Sequence, residues 1–123
     1  MDNPLSNIKS AVVLVDGDAP DCAEVSAKAE EYFRRKGISL KLYPVRRKRL
    51  LRCDRHSDLF ISLLPEKSFN LRLAVKRSQA PFKIGRFPMG DKVFDMIVSA
   101  PAGSETGQTG IFSMMTEIMG KIR

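Results

Sequence analysis

Few residues in this chain have the type and spacing that chemistry needs. Asp16 and Asp18 flank Gly17 directly after the apolar run 11–15. A carboxylate pair in that place can hold a cation or a ribose hydroxyl. The plainer role is to favour the positive end of the helix that follows, and that role carries more weight. Glu66 follows Pro65 at the end of a second apolar run, and Gly85-Arg86 follows a third. Arg86 could meet a phosphate or carboxylate there, although a turn glycine beside a surface arginine explains the pair as well. Asp16, Asp18, Glu66, Gly85 and Arg86 are therefore the ligand-binding candidates.

Other constellations are weaker. His56 is the lone histidine, and its neighbours Cys53 and Asp54 suggest a nucleophile and a base. Groups so close in sequence seldom reach the required geometry, so no catalytic residue is assigned. The loop 102–110, AGSETGQTG, has three glycines and leads into a helix whose free N–H groups suit an anion. It has neither the lysine of a phosphate-binding GxxxxGK[ST] loop nor the GxGxxG spacing, and a plain connection with Thr109 as helix cap is favoured. Cys22 and Cys53 form no CxxC pair and have no histidine cluster near them. Neither a structural metal nor a disulfide framework is expected, nor any cofactor.

The least bland feature is electrostatic. The net charge is +7, and residues 34–55 contain ten of the 21 basic residues with a single acid, Asp54. The remainder holds 11 basic and 13 acidic residues. The run Arg46, Arg47, Lys48, Arg49 with Arg52 and Arg55 is a candidate surface for phosphate, nucleic acid or another anionic partner through counterion release. Only Tyr43 lies near it, so stacking platforms for single-stranded bases are missing, and a solvated basic connector is the competing explanation.

These residues need elements to position them. Residues 11–15, AVVLV, read as a strand buried on both faces, ended by the turn signal Asp16-Gly17-Asp18. A helix is expected over 20–36. Cys22, Val25, Ala29 and Phe33 face the sheet, Asp18, Asp21 and Glu24 stand at its positive end, and Gly37 follows as C-terminal cap. Residues 38–43, ISLKLY, alternate like an edge strand, ended by Pro44. Residues 58–64, DLFISLL, form a second buried strand. A helix over 68–79 follows, with Ser68 as cap and Leu71, Ala74, Val75 and Ser78 inward. Short strands are expected at 82–85 and 94–98. The connection between them is too short for a parallel crossover, so 94–98 is expected to run antiparallel, or 82–85 to be vestigial. The last helix spans about 109–122, with Ile111, Met115, Ile118 and Ile122 on one face. Its additional Phe112, Met114 and Met119 exceed one face, which suggests core packing first and a homodimer contact second.

The fold class is α/β: a single three-layer Rossmann-like domain over residues 1–123, with a short, mostly parallel sheet of about five strands in the order 2-1-3-4 plus an edge strand. Apolar runs are too short to span a membrane and no leader pattern opens the chain, so a cytoplasmic protein is expected.

Residues 58–86, DLFISLLPEKSFNLRLAVKRSQAPFKIGR, resemble a unit in the N-terminal lobe of heptosyltransferase-like glycosyltransferases: an Asp-led strand, a helix, a small-residue loop and a basic strand ending in Ile-Gly. Those enzymes hold their sugar nucleotide mainly in a second lobe, which 123 residues cannot contain. The resemblance thus implies a scaffold and no activity. More of the chain is similar to an uncharacterised bacterial family of short α/β proteins, through Val12–Asp18, Asp58, Phe94-Asp95 and Lys83–Arg86. That resemblance implies a fold and no known reaction. Three readings follow: a non-catalytic interaction or regulatory module, a nucleic-acid or anionic-surface binder acting through 46–55, and a nucleotide- or sugar-phosphate-binding enzyme relic.

Overall fold

A computed structural model describes residues 8–17, 19–45, 56–64, 75–86, 94–98 and 107–121. Five strands form one parallel sheet: β1 (Ser10–Asp16), β2 (Ser39–Val45), β3 (Leu59–Ser62), β4 (Phe82–Gly85) and β5 (Met96–Ile97). Their order is β2-β1-β3-β4-β5. Helix α1 (Cys22–Arg35) connects β1 to β2, and α2 (Gln108–Lys121) closes the described chain. Ala11 to Val15 are each no more than 1% exposed, as a central strand covered on both faces requires.

Successive residues of β1 feed two separate cores. Ala11, Val13 and Val15 pack with Leu59, Ile61, Leu63 and Ile84 against α1 and α2. Val12 and Leu14 pack with Phe60, Leu64, Val75, Ala80 and Phe94 on the opposite face. These are the three layers expected, with the period of two along the strand dividing one sequence between them.

Helix α1 buries Val25, Ala29 and Phe33, while Cys22 is half-buried at its start. It ends in a Schellman motif. Gly37, at φ 70°, donates its N–H to Arg34 O, and the N–H of Ile38 reaches Phe33 O at 2.9 Å. The left-handed backbone at that position is what the glycine supplies. From α2, Ile111, Phe112, Met115 and Met119 are buried, with Met114 and Ile118 half-buried against the same core. Much of the apolar surplus therefore packs within the chain, where Tyr32, Phe33 and Phe112 also form a tilted and edge-to-face cluster with ring centroids 5.1–6.3 Å apart. Ile122 lies outside the described residues.

Two expectations change. Strand β2 does not stop at Pro44 but continues to Val45. It is the outermost strand, and an edge strand tolerates a proline whose missing N–H faces away from the sheet. Strand β4 is a regular strand pairing with β3, and β5 runs parallel to it, with Ile84 opposite Met96 and Gly85 opposite Ile97. Phe94, two residues before β5, packs directly on β4. The Phe94 ring lies so close to Gly85 that any Cβ there would overlap its ring carbons. Asp95 then anchors the start of β5, its N–H donating to Lys83 O and its Oδ2 accepting from Lys83 N, each at 2.8 Å.

From the expected helix over 68–79, residues 75–77 are helical, with Val75 and Ser78 buried as read. Ser68, Leu71 and Ala74 lie outside the described residues. Among the described residues no helix is long and apolar enough to cross a membrane.

Candidate functional site

Strand order reverses between β1 and β3, because β2 lies on one side of β1 while β3, β4 and β5 lie on the other. In open parallel sheets the crevice at the carboxyl ends of the strands, beside such a reversal, is the usual ligand position. Here that end gathers Asp16 and Gly17 after β1, Leu63 and Leu64 after β3, Arg86 after β4, and the start of α2.

The side chain of Gln108 fills the middle. It is 2% exposed. Its Oε1 accepts the N–H of Asp16, and its Nε2 donates to Asp16 O at 3.2 Å. One amide side chain thus pairs with both main-chain groups of the last residue of β1, much as a neighbouring strand would. Nε2 also donates to Asp21 Oδ1 at 3.2 Å.

Asp21 completes the arrangement from the start of α1. It occupies the N-cap position of that helix but makes no side-chain capping bond to it. Its carboxylate instead reaches α2, where Oδ2 accepts the Thr109 N–H at 3.0 Å and the Thr109 hydroxyl at 3.2 Å. Asp21 therefore caps α2 from across the fold, and Thr109 donates to that cap rather than serving as one. Gly107 makes room for it, since a Cβ at that position would lie 2.7 Å from Asp21 Oδ2. Partial burial pushes the Asp21 carboxyl upward, but the bonds from Thr109 N–H, Gln108 and the Thr109 hydroxyl outweigh it and hold the group below the ordinary carboxylate value.

Arg86 brings the opposing charge. It is half-buried, and its Nη1 donates to Leu63 O at 3.3 Å. Desolvation lowers its proton affinity, while the charges of Asp21 and Asp16 act in the opposite direction. A guanidinium stays protonated through such shifts, so the carboxyl end combines one half-buried cation with two carboxylates.

Of the residues singled out from sequence, Asp16 and Arg86 meet at this end, and Gly85 sits beneath the Phe94 ring. Asp18, Glu66 and the basic set Arg46, Arg47, Lys48, Arg49, Arg52 and Arg55 lie outside the described residues, as do Cys53 and Asp54. Asp21 and Gln108, which organise the site, were legible only as a helix-start acid and a loop residue. They stand 87 positions apart, and no local pattern connects them.

A family model, "Family of unknown function (DUF6913)", matches residues 7–109. The chain belongs to that family. The matched segment runs from the approach to β1 through Thr109, and so contains every residue of the Asp21–Gln108–Thr109 clasp. DUF6913 agrees with the resemblance to a family without a known reaction, whereas the glycosyltransferase resemblance has no counterpart among the comparisons. Neither a curated protein nor a solved structure matches the chain.

Proposed function

We propose that this DUF6913 chain is a non-catalytic interaction or regulatory module. The observation that carries this reading is the clasp at the carboxyl end. In a nucleotide-binding sheet the first N–H groups of a helix at this end face an anion. Here the carboxylate of Asp21 takes the Thr109 N–H, and Gln108 takes both main-chain groups of Asp16. The chain's own acid thus stands where a phosphate would stand, which weighs against the enzyme relic. The scaffold pattern of residues 58–86 is compatible with a module that keeps a fold without its reaction.

A thermal-shift panel of nucleotides, sugar phosphates and divalent cations tests this reading, because a ligand of the native state raises the unfolding temperature by mass action. No shift across the panel is expected. A concentration-dependent rise of several degrees with one compound, abolished by Arg86→Ala, overturns it.

A second reading, anionic binding through residues 46–55, is supported by the charge concentrated at 34–55 and by the exposure of Arg34, Arg35 and Lys36 at the end of α1. It requires binding to DNA or RNA that falls steeply with salt, and a much shallower slope when Arg46, Arg47, Lys48 and Arg49 are changed to serine. A cytoplasmic location is supported by the free, half-buried thiol of Cys22. Homodimerisation through α2 has less support, because Phe112, Met115 and Met119 are already buried within the chain.

A further inference from the structure

The outer edge of β2 is built differently from the carboxyl end. In a parallel ladder the N–H and C=O of one residue point to the same side, and successive residues alternate sides. Ser39 N–H reaches Lys9 O at 2.9 Å, and Val45 O accepts Gly17 N–H at 2.8 Å, so the odd-numbered residues of β2 face β1. The even-numbered residues Leu40, Leu42 and Pro44 therefore direct their main-chain groups away from the sheet. Pro44 has no N–H to offer there. Leu40 and Leu42 each offer a donor and an acceptor along an edge that no described strand covers.

The side chains of the same residues make a groove. Ile38, Leu40, Leu42 and Pro44 line a depression of about 420 Å³ together with Glu30 and Arg34 of α1. Cations flank it. Arg34, Arg35 and Lys36 are exposed at the end of α1, on the side of the groove that Arg34 lines. Arg35 is paired with Glu31, which leaves the balance positive.

We propose that the β2 edge and its groove bind an extended, acidic segment of a partner protein, which adds to the sheet as a further strand with apolar residues in the groove. This deepens the interaction-module reading and rests on it. Main-chain pairing along the edge, alternate side-chain pockets and a cationic border are what such strand addition uses. Nucleic acid fits less well, because the groove lining is aliphatic and offers no ring for stacking. A second copy fits less well, because pairing of two such edges about a two-fold axis brings like cations together.

The probe is a fluorescein-labelled decapeptide of alternating valine and glutamate, titrated against the full chain at low salt. Anisotropy should show saturable binding that weakens about tenfold with Arg34→Glu/Lys36→Glu, a loss of about 1.4 kcal/mol. A peptide N-methylated at alternate residues, which removes the donors and acceptor approach needed for pairing, should bind at least about tenfold more weakly without any change to the protein. Amide hydrogen exchange at Leu40 and Leu42 should be fast in the free chain and slow in the complex, with Lys41 and Tyr43 protected in both. The proposal is overturned by absent saturation, by equal binding of the N-methylated peptide, or by displacement of the peptide with duplex DNA. It is equally overturned if Leu40 and Leu42 are already protected in the free chain, whether at all concentrations or only at those where a second copy associates. A nucleotide hit in the thermal-shift panel overturns the module reading alone and leaves these edge measurements to stand or fall separately.

Discussion

At the amino end of the sheet, Asp58 and Asp95 each stand one residue before a strand and accept N–H groups from the neighbouring one. Asp58 Oδ2 receives Lys9 N–H at 2.8 Å and Ser10 N–H at 3.3 Å, and Asp95 Oδ2 receives Lys83 N–H at 2.8 Å. At the carboxyl end, Asp21 does the same work for a helix rather than a strand, but inside a half-buried network with Gln108, Thr109 and the charge of Arg86. The same chemical group serves both ends, and the surroundings set what it is worth. An exposed N–H released by losing Asp95 finds water. A donor released in the part-buried setting of Thr109 and Gln108 finds it less easily, and a donor left without an acceptor costs more the deeper it lies.

That contrast orders the expected effects. Asp21→Ala removes the acceptor for Thr109 N–H, the Thr109 hydroxyl and Gln108 Nε2 together, and should destabilise by about 2–3 kcal/mol as read by the urea midpoint. Gln108→Ala should cost about 2 kcal/mol, by removing the acceptor for the Asp16 N–H and one of the donors to Asp16 O, which keeps the Ala19 N–H, while Asp21 loses one donor. At the amino end Asp58→Ala should cost about 1 kcal/mol and Asp95→Ala less. If Asp58→Ala proves as damaging as Asp21→Ala, the distinction between the two ends fails.

The pH response sharpens the same contrast. Because the Asp21 carboxyl is held low in the folded chain, its stabilisation is complete above the ordinary aspartate value of 3.8 and disappears as pH falls through the lower folded value. Urea midpoints measured between neutral pH and pH 3 should therefore fall further for the natural chain than for Asp21→Asn. Parallel curves would remove Asp21 as a source of acid sensitivity. The smallest effect belongs to the surface pair. Arg35 and Glu31 lie 2.6 Å apart but are 75% and 51% exposed, so Glu31→Ala should shift stability by no more than about 0.5 kcal/mol.

Wherever a property depended on neighbours in the chain, it was legible in the amino acids. The five-residue apolar run of β1, the helical spacing of Val25, Ala29 and Phe33, the stop at Gly37 and the short strand 82–85 all follow from local period and local backbone preference, and each lies where that preference places it. The order of the central strands also followed, since α1 is long enough for a right-handed parallel crossover. The direction of β5 did not follow. The shortness of the connection argued for an antiparallel return, whereas the pairing of Ile84 with Met96 and Gly85 with Ile97 is parallel, and Phe94 packs on Gly85 in a contact that no local pattern encodes.

The organisation of the carboxyl end was illegible for the same physical reason. Asp21 looks like any helix-start acid and Gln108 like any loop amide until the sheet brings the two helix starts within hydrogen-bonding reach. Sequence alone determined where main-chain and apolar demands lay. Tertiary structure alone decided which distant side chain met them, because hydrogen bonding depends on separations of about 3 Å that no spacing along the chain encodes.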